Sequence, residues 1–462
     1  PPWSPPDKVA DVVELAGAPA VAVDKDGTLH VLWSEAEEPT KTRLHYARWD
    51  GSRWTRAYGV IRLGEERLAQ PSLVAVGERL HAVASAGPGG RIVYARAFLR
   101  DAYAAGGWST PQPLPAPARA QGVGGSPIIR ADLSGNLYVV YAVPLNEGRG
   151  IYYTHSRDGG ESWAQVSTVF DAEKAGWAMV DHPSLAVDVD GTLHVAWVRM
   201  PLPGNPIPEG IYYSQSTDEG QSWSEPLLMA EGAYDWPQLG ISRPQIVHLL
   251  WSEVSGRKGW SHRKSTNGGR QWAPTSSVSG LREVAGPAIL VYDGFQSFYL
   301  LGPGVGDAGE PALVQSAWDH DNQRWLARES YPQGAEVQSL ERVAGVVMPK
   351  LGQLHVVLWG TMATAEGTVS EALLYTQRAV TPLTLDVQVY ITPQPTAPPT
   401  PTPLPTPTPT PRPTVNVQPP PPTPPGIEVG PLSLPLGALL GVLLVGALVV
   451  GVLLVRSMRQ RR

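Results

Sequence analysis

Two short stretches of this 462-residue chain concentrate groups able to act on a polar ligand. EKAGWAMVDHP (173–183) carries Trp177, Asp181 and His182, and GAYDWP (232–237) carries Tyr234, Asp235 and Trp236. Aromatic rings beside carboxylates suit a sugar: the rings stack on the pyranose faces and the carboxylates accept hydrogen bonds from hydroxyls. Two carboxylates could also form the acid/base pair that cleaves a glycosidic bond. The plainer reading is that both Asp residues cap turns and the Trp rings fill gaps.

The rest of the composition removes whole classes of chemistry. There is no Cys, so disulfides, thiol catalysis and zinc ribbons are excluded. The net charge of −6 leaves no basic footprint for nucleic acid. Asp24-Lys25-Asp26-Gly27 and Asp188-Val189-Asp190-Gly191 resemble the start of a calcium loop, but both lack the Glu at loop position twelve, so no metal is expected. Gly304, Gly306 and Gly309 spell GxGxxG in a loop before a strand, with no helix to receive a phosphate. No cofactor is expected.

A second kind of phrase recurs: SRDGGESW (156–163), STDEGQSW (216–223) and STNGGRQW (265–272). Its residues suit a hairpin turn. The Asp carboxylate accepts backbone N–H bonds, the Ser hydroxyl adds another, the Gly supplies a positive φ and the Trp anchors the next strand. The three copies place these roles on Ser156, Asp158, Gly160 and Trp163, on Ser216, Asp218, Gly220 and Trp223, and on Ser265, Asn267, Gly269 and Trp272. Asn267 keeps the turn chemistry but carries no charge, which argues against a metal ligand or catalytic acid. RWDGSRW (48–54), AAGGWS (104–109) and DHDNQRW (319–325) keep only fragments of it. The phrase reads as a structural part.

These turns sit inside a longer repeat. PAVAVDKDGTLHVLWSE (19–35) and PSLAVDVDGTLHVAWVR (183–199) are the clearest of seven copies spaced roughly 50–57 residues apart, a period typical of propellers and solenoids. Each copy is an alternating run, an Asp/Gly turn, a second alternating run, a third strand such as IYYTHS, the repeated phrase, and a fourth strand. Four antiparallel strands without helices make a propeller blade, so the spacing predicts an all-β, seven-bladed β-propeller over 1–390. The seventh copy lacks a fourth strand, and KVADVVELA (8–16) is expected to supply it, closing the ring and removing exposed edges. Five histidines, His30, His81, His194, His248 and His355, share one repeat position with Tyr138, which marks an architectural slot.

The repeated phrase resembles the Asp-box, or BNR repeat, of the sialidase superfamily. That resemblance implies that the Asp-boxes lie on the rim away from the ligand site and are not catalytic, which puts a ligand site, with Asp181 and Asp235, on the opposite face. It also implies, for true sialidases, three arginines on the substrate carboxylate, an Asp acid/base and a Tyr–Glu nucleophile on six blades. This chain departs from that pattern. Its strand starts GAP, AQP, GSP, DHP, DWP and AGP have no Arg two residues before the Pro, and two of them carry Asp181 and Asp235 there instead.

Downstream, residues 391–431 are dominated by Pro and Thr and read as an extended polyproline II stalk, reaching on the order of 100 Å. LGALLGVLLVGALVVGVLLV (436–455), within an expected transmembrane helix at 432–455, is uncharged and ~30 Å long as a helix. The basic tail 456–462 would be cytoplasmic and the propeller outside. The chain opens PPWSPP, consistent with a removed signal peptide. Together these point to a single-pass cell-membrane protein presenting a binding or adhesion module to a glycan or a surface protein. The alternative is an exo-sialidase-like or other glycoside hydrolase with its site opposite the Asp-boxes.

Overall fold

The computed structural model describes residues 2–380, apart from 39–40, 65–66, 88–90, 203, 205–206, 256–258, 279–286, 293–297, 349–351 and 365–366. The described chain is all-β save one short 3₁₀ turn, Ala105–Gly107, and its strands form seven antiparallel sheets. The blades, one to seven, span 20–61, 69–113, 125–171, 179–231, 234–277, 289–332 and 337–379. The seventh takes its outer strand from the N-terminus: Asp7–Val12 runs antiparallel to Val369–Ala379. The first strand of every blade neighbours the first strands of the blades on either side, and blade seven neighbours blade one, so the ring is closed around these innermost strands.

Strand periodicity explains how the ring is filled. Side chains alternate between faces along a strand. In Leu193–Met200, Leu193, Val195 and Trp197 pack into the seam with blade three, while Ala196 and Val198 pack into the seam with blade five. Each of the seven seams holds its own hydrophobic core in this way. Since both sheet faces are covered, polar residues of the alternation are buried too and need internal partners. The histidine slot supplies them. His30, His81, His194 and His355 meet a third-strand Tyr (Tyr46, Tyr94, Tyr213, Tyr375), each at 2.7 Å, and His248 meets His262 at 3.0 Å.

The repeated turns have one geometry. Ser156 Oγ donates to Asp158 Oδ1 at 2.7 Å and accepts from Gly160 N at 2.8 Å, and Ser162 N donates to Asp158 Oδ1 at 2.9 Å. The bonds recur around Ser216–Asp218 and, with the amide oxygen of Asn267 in place of the carboxylate, around Ser265. Gly160, Gly220 and Gly269 have φ of +80°, +85° and +80°, and a Cβ on any of them would collide with a tyrosine of the preceding blade.

No helix among the described residues is long and apolar enough to cross a membrane. The expectation of a C-terminal transmembrane helix, and with it of the membrane as a partner and of a single-pass localisation, therefore finds no helix here to carry it. The segment 432–455 on which the expectation falls lies outside the described residues, as do 391–431 and 456–462.

Candidate functional site

The starts of the innermost strands share an unusual backbone. Gln70, Ser126, His182 and Trp236, in blades two to five, each precede a proline and have φ of +51°, +48°, +50° and +51°. At each of them the pairing with the second strand slips, between Ala69 and Ser72, Gly125 and Ile128, Asp181 and Ser184, and Asp235 and Gln238. Proline has no N–H for the ladder, so the strand bulges there, and a bulge re-aims the side chain before it. A left-handed conformation in a residue with a Cβ costs about 1–3 kcal/mol and persists only where surrounding bonds impose it.

Those bonds run from blade to blade. Gln70 Oε1 accepts from Ser126 N at 2.8 Å, and Ser126 Oγ donates to Asp181 Oδ1 at 2.9 Å. Asp181 Oδ1 also takes the N–H of His182 at 2.7 Å. His182 Nδ1 meets Asp235 Oδ1 at 2.6 Å, and the same oxygen accepts Trp236 N at 2.6 Å. The Trp236 ring lies nearly parallel to the His182 ring, with centroids 6.2 Å apart. Polar groups of four successive blades thus form one connected line.

This line lies at the end of the blades opposite the repeated turns. In blade three, Ala131 pairs with Leu137 and Leu137 with Ser156, at the turn end, whereas Gly125 pairs with Ala142 at the other end.

Asp235 is buried, while the His182 side chain is 29% exposed. Burial opposes protonation of the imidazole, but the carboxylates of Asp181 and Asp235 outweigh it and raise its pKa to about 9, with the Arg342 guanidinium pulling the other way. At neutral pH the ring is therefore an imidazolium. Its Nδ1–H is committed to Asp235, which leaves Nε2–H as the donor for a ligand.

Asp181, His182, Asp235 and Trp236 are thus brought together. Trp177 and Tyr234 are not. The Trp177 ring is wedged between Phe170 and Tyr212, with centroids at 4.3 and 4.5 Å, under the Arg199 guanidinium at 5.0 Å. Tyr234 packs edge-on against Trp251 at 6.3 Å. Sequence reasoning passed over Gln70, Ser126 and Arg342. The first two occupy the same pre-proline position as His182 and Trp236, in AQP and GSP, so the register of the repeat was the available signal. Arg342 follows a bulge between Leu340 and Arg342 in the first strand of blade seven, and no proline marks that bulge. Among the described residues no group of three or more acidic or His side chains is placed to hold a metal ion.

No family model and no curated protein matches the chain. Solved structures do. An ulvan lyase bound to a GlcA–Rha3S saccharide aligns with a TM-score of 0.53 at 12% identity, over 80% of this chain and 94% of that one. Another polysaccharide lyase aligns at 0.51 and 12% identity, over 78% and 89%. The NanB sialidase of Streptococcus pneumoniae aligns at 0.46 and 11%, over 82% and 71%. The chain therefore shares its propeller fold, at low identity, with these two polysaccharide lyases. The expectation that set a binding role above catalysis finds no support in this likeness, because both lyases are enzymes on polysaccharides.

Proposed function

We propose that this chain is a carbohydrate-active enzyme that hydrolyses a glycosidic bond at the Asp181–His182–Asp235 cluster. The observation that carries the reading is the His182 imidazolium, held on a strained bulge and clamped across a blade seam to a buried carboxylate. A strained, cross-linked position of this kind is characteristic of functional sites. The fold likeness to polysaccharide lyases supports a glycan substrate.

In this reading Asp235 orients the ring and keeps its proton, as the third member of a catalytic constellation does. Nε2–H of His182 protonates the leaving glycosidic oxygen as the bond to the anomeric carbon breaks. A water attacks that carbon, and its proton passes to Asp181, whose Oδ1 is already engaged by Ser126 and the His182 N–H. The Trp236 ring offers a face for a sugar ring. The sialidase form of the reading is weaker, since none of the strand starts GAP, AQP, GSP, DHP, DWP and AGP has an Arg two residues before its Pro to fork onto a carboxylate.

The test is incubation of the full chain with neutral, uronate-containing and sialylated glycans, reading reducing ends, unsaturated uronate absorbance and free sialic acid in parallel. New reducing ends without unsaturation, lost in His182→Ala, are the expected result. Unsaturated product would turn Asp181 into a base acting on a substrate C–H, and no product from any glycan would sink the enzymatic reading.

A further inference from the structure

One seam of the ring is built differently from the other six. Three residues before the turn position of each third strand stands a ring that receives the turn Trp of the following blade. Tyr46 meets Trp108 at 6.4 Å, Tyr94 meets Trp163 at 5.0 Å, Tyr153 meets Trp223 at 5.5 Å, Tyr213 meets Trp272 at 5.0 Å, His262 meets Trp325 at 5.7 Å and Tyr375 meets Trp54 at 5.1 Å. In blade six the slot holds Gln315, which pairs with Leu301 as Tyr375 pairs with Val357. The seventh turn Trp comes from the N-terminus. Trp3 bridges Arg378 just as Trp54 bridges Trp49 and Trp108 bridges Ala97, but its ring rests on Tyr331, 5.7 Å away.

The missing ring leaves space. A cavity of about 350 Å³ opens at this place, lined by Tyr299, Gln315, Trp318, His320, Glu329 and Arg378 among others. The outer strand of blade six is split alongside it, with Arg324–Trp325 and Glu329–Pro332 pairing separately with the third strand. Gln315 is only 2% exposed, and its Oε1 has no hydrogen-bond partner. Its Nε2 makes one long contact, 3.4 Å, to Glu329, and Nδ1 of His320 is likewise buried without a partner. A buried acceptor left unpaired costs about 1–3 kcal/mol, which a donor entering the cavity would recover.

We propose that this seam is a second, non-catalytic ligand site that takes one pyranose unit of a glycan. Tyr299 provides aromatic surface, Gln315 Oε1 accepts a ring hydroxyl at the floor, and the Arg378–Glu329 pair, 2.9 Å apart, offers a donor and an acceptor at the rim. A bare aromatic ligand would fill the space but leave the Gln315 oxygen unpaired, whereas a hydroxylated ring satisfies both demands. The site does not depend on cleavage at the opposite face.

Saturation-transfer NMR of the full chain with methyl glycosides of common hexoses tests this. Binding should survive Asp235→Asn, which disables only the other site. Gln315→Tyr installs the ring used by five sibling blades, and should weaken binding at least ~tenfold without lowering Tm; Gln315→Leu, which keeps space but removes the acceptor, should weaken it similarly. Should the tyrosine variant fold poorly, the leucine variant carries the test. Unchanged affinity in both variants, or saturation transfer from no hexose glycoside, overturns the proposal.

Discussion

At the scale of residues, the weight falls on His182. Its two carboxylate neighbours keep it protonated up to about pH 9, so it is an acid and not a base at neutral pH. Activity that uses it as the proton donor should fall as pH rises through about 9, and a pH–rate profile would show this limb. His182→Ala and Asp235→Asn should each lower the turnover at least ~100-fold while circular dichroism stays unchanged. The clamp also has a stability signature. Since the folded pKa lies above the unfolded value of 6.5, its contribution is complete below 6.5 and fades as pH climbs through about 9. Asp181, His182, Asp235 and Trp236 were legible as candidates because acids and aromatic rings stand side by side in DHP and DWP. Their partners Gln70 and Ser126 were not, because a Gln or Ser before Pro carries no chemical signature until the bulge turns it toward the next blade.

At the scale of elements, the repeated turn makes sharp demands on some positions and loose ones on others. Asn267 makes the same backbone bond as Asp158 and Asp218, so Asp218→Asn should shift the stability by less than ~0.5 kcal/mol in denaturant unfolding. Gly220→Ala should cost more than about 1 kcal/mol in the same measurement. Its φ is +85°, and the added Cβ would lie 2.2 Å from the Tyr153 ring. The turn's hydrogen bonds could be read from residue types alone. The close approach that also demands glycine could not, because Tyr153 belongs to the preceding blade, 67 residues away in sequence.

At the scale of the molecule, closure and acid sensitivity are collective properties. Burial lowers the pKa of His81, His194 and His355 to about 4 and of His262 to about 3, and drives His248 well below its usual value. A lowered histidine favours folding above 6.5, and that favour is lost as pH falls toward 4, by roughly 1–3 kcal/mol for each ring. Calorimetry should therefore show Tm falling steeply across this acidic window, and a flat Tm would contradict it. Removing residues 1–12 takes away the outer strand of blade seven and the Trp3 bridge to Arg378. The truncated chain should unfold at clearly lower denaturant and expose a sheet edge prone to self-association, seen by light scattering.

The sequence by itself determined the number of blades, the strand grammar within each and the turn chemistry. These are local matters: alternation, turn residues and period are written within one repeat of the chain. Tertiary structure alone decided which residues meet across seams. It joined Gln70, Ser126, Asp181, His182 and Asp235 into one line, sent Trp177 and Tyr234 into packing, and left Gln315 facing a space where other blades put a ring. The physical reason is that each blade buries both faces against neighbours whose residues lie a full repeat away, and no local pattern records what stands opposite.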